Sequence, residues 1–260
     1  MEICKMVSPK GFVIYDGPST IDNERIAVIA TGFHRSKNVK TGRAIQTWII
    51  VPDQNPFEAV EEGNDYRICG TCKHRHFRSC YVNLTHGPLQ VWEAFTAGSY
   101  EKANSSSLVH FVDKFIRIGS YGDPVAVPAS IWQSILSVAG TWTGYTHRWK
   151  QASILYKNFC MASCDTLDEV KDAKQRGWRP FYARSQGEVV PENFVDCPAS
   201  KESGKKTTCI KCGMCKGGVD SGKSCPSITI HGPAWKTKYY KDGMLRYKNK
   251  KQFTRLNWLR

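Results

Sequence analysis

The run DKFIRIGSYGD (residues 113–123), PASIWQSILSVAG (128–140), TWTGYTHRW (141–149), NFCMASCD (158–165), TLDEVKDAKQRG (166–177), WRPFYARS (178–185) and ENFVDCP (192–198) decides the fold. Short β-branched and aromatic runs mark strands, and apolar residues at helical spacing mark helices. Pro128 and Gly140 bound the first helix, and Thr166 and Gly177 cap and stop the second. Strands alternating with helices of this length imply parallel βαβ units. In such sheets function gathers where the strands end, because the following loops share one edge. Here those ends carry Asp123, His147, Asp165, Arg184 and Asp196.

Upstream the texture is β. FVIY (12–15), RIAVIATGF (25–33) and AIQTWIIVP (44–52) read as strands, with HRSKNVKTGR (34–43) as a hairpin connection between the last two. PLQVWEAFTAGSYEKA (88–103) has helical spacing. Hydrophobic residues at 41% and aromatics at 12% exclude a disordered chain. No window is apolar enough for a signal peptide or a membrane span, so the expectation is a soluble cytoplasmic protein with no membrane partner. In a reducing compartment the eleven cysteines read as metal ligands or chemical groups rather than a disulfide framework.

Cys197, Cys209, Cys212 and Cys215 form the strongest motif, in DCPASKESGKKTTCIKCGMC (196–215). Thiolates two residues apart reach one ion from a tight turn, so four build a closed tetrahedral site for zinc or, alternatively, an iron–sulfur cluster. Cys225 and His231 follow closely and could each replace one of the four. A second group, Cys69, Cys72 and Cys80, has His74, His76 and His86 nearby. It could bind a second zinc, or hold a cluster with one iron open to substrate, although its spacing is not that of standard radical S-adenosylmethionine enzymes.

A net charge of +14 points to a polyanionic partner, DNA or RNA. The C-terminal stretch concentrates it: Lys236, Lys238, Lys241, Arg246, Lys248, Lys250 and Lys251 alternate with Tyr239, Tyr240 and Tyr247. Cations that neutralise phosphates, set among rings that stack on bases, suit nucleic-acid contact; the alternative is that the rings dock the tail on the body. Arg148, Arg179 and Arg184 are further candidates for holding phosphate.

Carboxylates sharing one rim can divide the roles of nucleophile and acid/base, which makes Asp123, Asp165 and Asp196 candidate catalytic residues, with His147 as a candidate base. Asp123 also reads as a turn residue and Asp165 as a helix cap. No Walker loop, dinucleotide fingerprint, serine-hydrolase elbow or zincin helix is present, which argues against ATP-driven and nicotinamide chemistry.

The order of CYVNL, FIRIGSYGD, GYTHRW, MASCD and DCPAS…TTCIKCGMCKG over residues 66–232 resembles a group of small phage-encoded cysteine-cluster proteins. More distantly, NFVDCPAS followed by Cys209, Cys212, Cys215 and His231 resembles the queuine and archaeosine transglycosylase superfamily, which includes phage enzymes that insert 7-deazaguanines into DNA. That resemblance implies an irregular or incomplete (β/α) barrel with a C-terminal Cys-rich zinc segment. It implies exchange of guanine in DNA for a free deazaguanine base, with Asp196 as nucleophile and Asp123 as the acid/base or base-recognition residue. The superfamily's C-x-C-x-x-C differs from the interval here, and Cys197 competes as a ligand; if it binds metal, Asp165 replaces Asp196. Two other readings stand beside this one: an iron–sulfur, radical-type enzyme on a similar barrel, and a non-enzymatic zinc-stabilised nucleic-acid binder. The expected organisation is one α/β domain over 1–232, with the metal segment at about 197–231, and a basic aromatic tail over 233–260.

Overall fold

The three N-terminal β runs pair as an antiparallel meander of β1 (Gly11–Pro18), β2 (Arg25–Thr31) and β3 (Ala44–Ile50). The structure, a computed structural model, describes residues 9–34, 40–218 and 224–249. Ile26 to Ala30 of β2 are fully buried, which a central strand covered on both faces requires. Four short helices follow β3: α1 (Pro56–Glu61), α2 (Tyr66–Cys69), α3 (Lys73–His76) and α4 (Pro88–Thr96). Asn55 caps α1 through the backbone N–H groups of Phe57 and Glu58. Cys69 and His74 thus lie on separate helical turns.

From β3 onward the ladders are parallel, as the strand–helix alternation predicts. After β4 (Glu101–Lys102) come β5 (Phe115–Tyr121), α5 (Ala129–Leu136), β6 (Thr141–Thr143), β7 (Tyr145–Thr146) and β8 (Met161–Cys164). Then come α6 (Leu167–Gln175), β9 (Pro180–Arg184), β10 (Phe194–Asp196), α7 (Cys209–Cys212), β11 (Cys225–Thr229) and α8 (Ala234–Asn249). Thr166 caps α6 by accepting from the Glu169 N–H, and Gly177 takes φ 72° after its end.

These strands make a mixed α/β fold with two sheets, ordered β4-β1-β2-β3-β5-β6 and β10-β11-β9-β8-β7. Among the described residues no ladder joins β4 to β10, so the two sheets are open rather than closed into a ring. The expected single strand TWTGYTHRW divides at Gly144, where the chain leaves one sheet for the other. A Cβ there would lie 2.4 Å from the Ile118 side chain and 2.8 Å from the Phe159 carbonyl oxygen. The backbone of Gly144 accepts from Met161 N–H at 2.9 Å and donates to the Cys215 carbonyl at 3.3 Å. One glycine therefore ties both sheets to the cysteine-rich segment.

Two elements differ from the sequence reading. Residues 225–229, read there for Cys225 alone, form β11 between β9 and β10. The basic stretch after 233 begins as helix α8, with Tyr240 and Met244 buried against the body. No helix among the described residues is long and apolar enough to cross a membrane.

Gly144→Ala forces a methyl group into backbone and core, and should destabilise the protein by about 1–3 kcal/mol in urea unfolding.

Candidate functional site

Asp165 follows β8 and its side chain has 0% exposure, so its charge must be met inside the protein. Lys73 Nζ lies 2.9 Å from Oδ2, and His74 Nε2 lies 3.1 and 3.2 Å from the two carboxylate oxygens. The Tyr240 hydroxyl stands 3.2 Å from Oδ1 and 3.1 Å from the Ala183 carbonyl. Burial opposes ionisation, but the neighbouring His74 and Lys73 outweigh it and hold the carboxyl well below its usual range. Lys73 also donates to both oxygens of Glu169, at 2.7 and 2.8 Å, and Glu169 in turn accepts the Asp165 N–H at 2.8 Å.

His147 closes the group, with Nε2 4.0 Å from Asp165 Oδ2 and its ring 4.9 Å from that of His74. Burial, then the positive field of His74, pushes its imidazole down to about 3, so it is neutral near pH 7. Its backbone N–H donates to Asp123 Oδ2 at 2.9 Å, while Oδ1 accepts the Val125 N–H at 3.0 Å. The structure thus brings Asp123, His147 and Asp165 to one strand edge, as the alternation predicts. It also occupies both oxygens of Asp123 with backbone donors.

Above this edge sit Cys69, Cys72 and Cys80, joined to it where Asp123 N–H donates to the Ile68 carbonyl at 2.7 Å. All three are free thiols; Cys80 is exposed and the other two are half-buried. Desolvation, then Asp65 and the other two thiols, pushes Cys69 well up; Cys72 rises through desolvation, then Cys80. The Tyr121 hydroxyl beside them is buried and has no hydrogen-bond partner among the described residues. Gly70, at φ 54°, lets the Arg148 guanidinium pack on the loop, with Nη1 3.4 Å from Thr71 Oγ1.

The four C-terminal thiols line one small cavity with Lys40, Trp142, Tyr145 and Phe181, so the spacing does bring Cys197, Cys209, Cys212 and Cys215 together. Burial raises Cys197, Cys209 and Cys215, the last to about 12, while Lys40 pulls Cys197 and Cys209 down. Metal would have to displace these protons, and Lys40 and Arg117 supply positive charge for the resulting thiolates. His231 stands apart from that cavity, exposed, with Nδ1 3.0 Å from the Thr229 carbonyl and 3.4 Å from Glu202. Cys225 is buried in β11. Neither cysteine group has three sulfurs within 4.8 Å of one another, the spacing at which the ligand atoms of His74, His147 and Asp165 stand.

Asp196, 38% exposed at its side chain, pairs with Arg184 on the end of the second sheet. Of the basic stretch, Lys236 donates to the Val82 carbonyl at 2.9 Å, whereas Lys238 and Tyr239 face outward with Trp235 and Lys241. Lys250 and Lys251 lie outside the described residues, as does the side chain of Lys248. Lys73 and Glu169 are not among the sequence candidates, and Tyr240 takes the docking role given there as the alternative to base stacking. Glu169 three residues after Thr166 is an available signal, since that spacing marks a capping pair. No protein-family model matches the chain, and no curated protein or solved structure matches it significantly.

Lys73→Met would leave two buried carboxylates without their ammonium and should cost about 3–5 kcal/mol in chemical denaturation. Tyr240→Phe removes one buried hydroxyl donor and should cost about 1–3 kcal/mol in the same measurement.

Proposed function

We propose that the chain is an iron–sulfur enzyme of the radical type, acting on nucleic acid. Its centre is the edge where β5, β7 and β8 end. The observation that carries this reading is the group of three free thiols, Cys69, Cys72 and Cys80, held near Asp123 and beside the Tyr121 hydroxyl, which has no partner among the described residues. Three thiolates fit a four-iron cluster with one iron left open to substrate. Such a cluster supplies electron transfer; the protein's own groups bind and orient. His147, neutral and half-buried, stands at that edge as a hydrogen-bonding group.

The parallel run from β3 through β5, the β6–β7 strand, β8, β9 and β11 to β10 supports an incomplete barrel, with the thiols on the loop after its first strand. The outward face of α8, with Trp235, Lys238, Tyr239, Lys241 and Arg246, suits a nucleic-acid strand. Cys197, Cys209, Cys212 and Cys215 then serve as a structural zinc site.

Base exchange of guanine for a deazaguanine is the second reading. It is favoured by Asp196, whose partly open carboxylate is oriented by Arg184. Asp123 and Asp165 suit it less, because backbone donors and buried cations already occupy their oxygens.

Anaerobically purified protein should contain iron and acid-labile sulfide with broad visible absorption. Cys72→Ser should remove the iron, and Cys212→Ser should remove zinc while sparing it. Zinc without iron in the wild type would overturn the iron–sulfur reading. Incorporation of labelled deazaguanine into DNA, lost in Asp196→Asn, would then establish the exchange.

A further inference from the structure

Asp165 stands among buried side chains of the metal-ligating type. Asp165, Glu169 and Lys73 are buried together, with side-chain exposures of 0%, 10% and 9%. Lys73 bridges the two carboxylates, and the Asp165 oxygens still face two imidazoles. The groups completing this shell are the imidazoles of His74 and His147, and the tyrosine hydroxyl of Tyr240.

The geometry points to a mononuclear divalent-metal site formed by His74, His147 and Asp165, separate from both cysteine groups. One ligand atom from each residue lies within 4.8 Å of the other two. Two imidazoles and one carboxylate with coordination positions left open are the donor set of a ferrous or manganous site. The surrounding hydrogen bonds are those a ligand set needs. His74 Nδ1 is 2.9 Å from Ser79 Oγ, so its N–H can donate there and leave Nε2 free for the ion. Lys73 and Tyr240 orient the Asp165 carboxylate, and His74 stacks on Tyr240 at 5.4 Å and 10°. His147 is the most exposed of the three, at 26%, and marks the side from which an ion and a substrate atom reach the site.

The site stands independently of the iron–sulfur reading, and the test separates them. Full-length protein is titrated with Mn2+ alone, free ion being followed by electron paramagnetic resonance; Mn2+ prefers these nitrogen and oxygen donors over thiolates. Wild type should bind one Mn2+ per chain, and Cys72→Ser should bind it equally well. His147→Gln, folded by circular dichroism, should weaken binding about 10-fold or more. Ser79→Ala, which leaves every ligand in place, should also weaken it about 10-fold. No retained Mn2+ in wild type would overturn the site. Wild-type affinity in His147→Gln, or loss of binding in Cys72→Ser, would overturn it as well.

Discussion

The buried carboxylate of Asp165 is the point on which the arrangement depends. It ends a strand of the second sheet, yet its partners come from two distant stretches of chain: Lys73 and His74 of α3 and Tyr240 of α8. An ionised carboxylate removed from water is tolerated only if such partners surround it. The charge therefore dictates where the cysteine loop and the C-terminal helix must sit. With Lys73 and His74 pinned to the strand edge, Cys69 and Cys72 on either side of Gly70 are carried to the same place.

Gly144 performs the corresponding task for the sheets. Its lack of a side chain lets β6 and β7 approach Ile118 and Phe159, and its backbone bonds join β8 to the segment bearing Cys215. The C-terminal thiols are brought against Lys40 at the entry to β3 and Tyr145 of β7. Arg117 of β5 lies between the two cysteine groups, hydrogen-bonded to Tyr81 and within the electrostatic reach of Tyr145 and Cys209. Both groups thus serve one α/β body, with the positive charge that thiolates require already beside the second.

Much of this was legible in the residues. Thr166, Gly177 and the alternating runs announced the helices and strands after residue 113, because caps and periodicity are local properties. The same alternation placed Asp123, His147 and Asp165 on one edge, since parallel strands end together. β11 was not legible: CPSIT is short, begins beside a proline and gains its ladder bonds only from β9 and β10. Tyr240 read either as a ring for stacking on bases or as one that docks the tail, and the fold uses it to dock, covering His74 and Asp165.

The sequence by itself determined the α/β class, the parallel run, the two cysteine groups and the basic, aromatic character of the C-terminal stretch. These follow from composition, periodicity and spacing within a few residues. Only the tertiary structure decided that Lys73, His74 and Tyr240 converge on Asp165, that His231 stands away from the thiols, and that the strand through Gly144 changes sheet. Each depends on contacts between residues far apart in the chain, where electrostatic balance and steric fit act through space and leave no periodic trace.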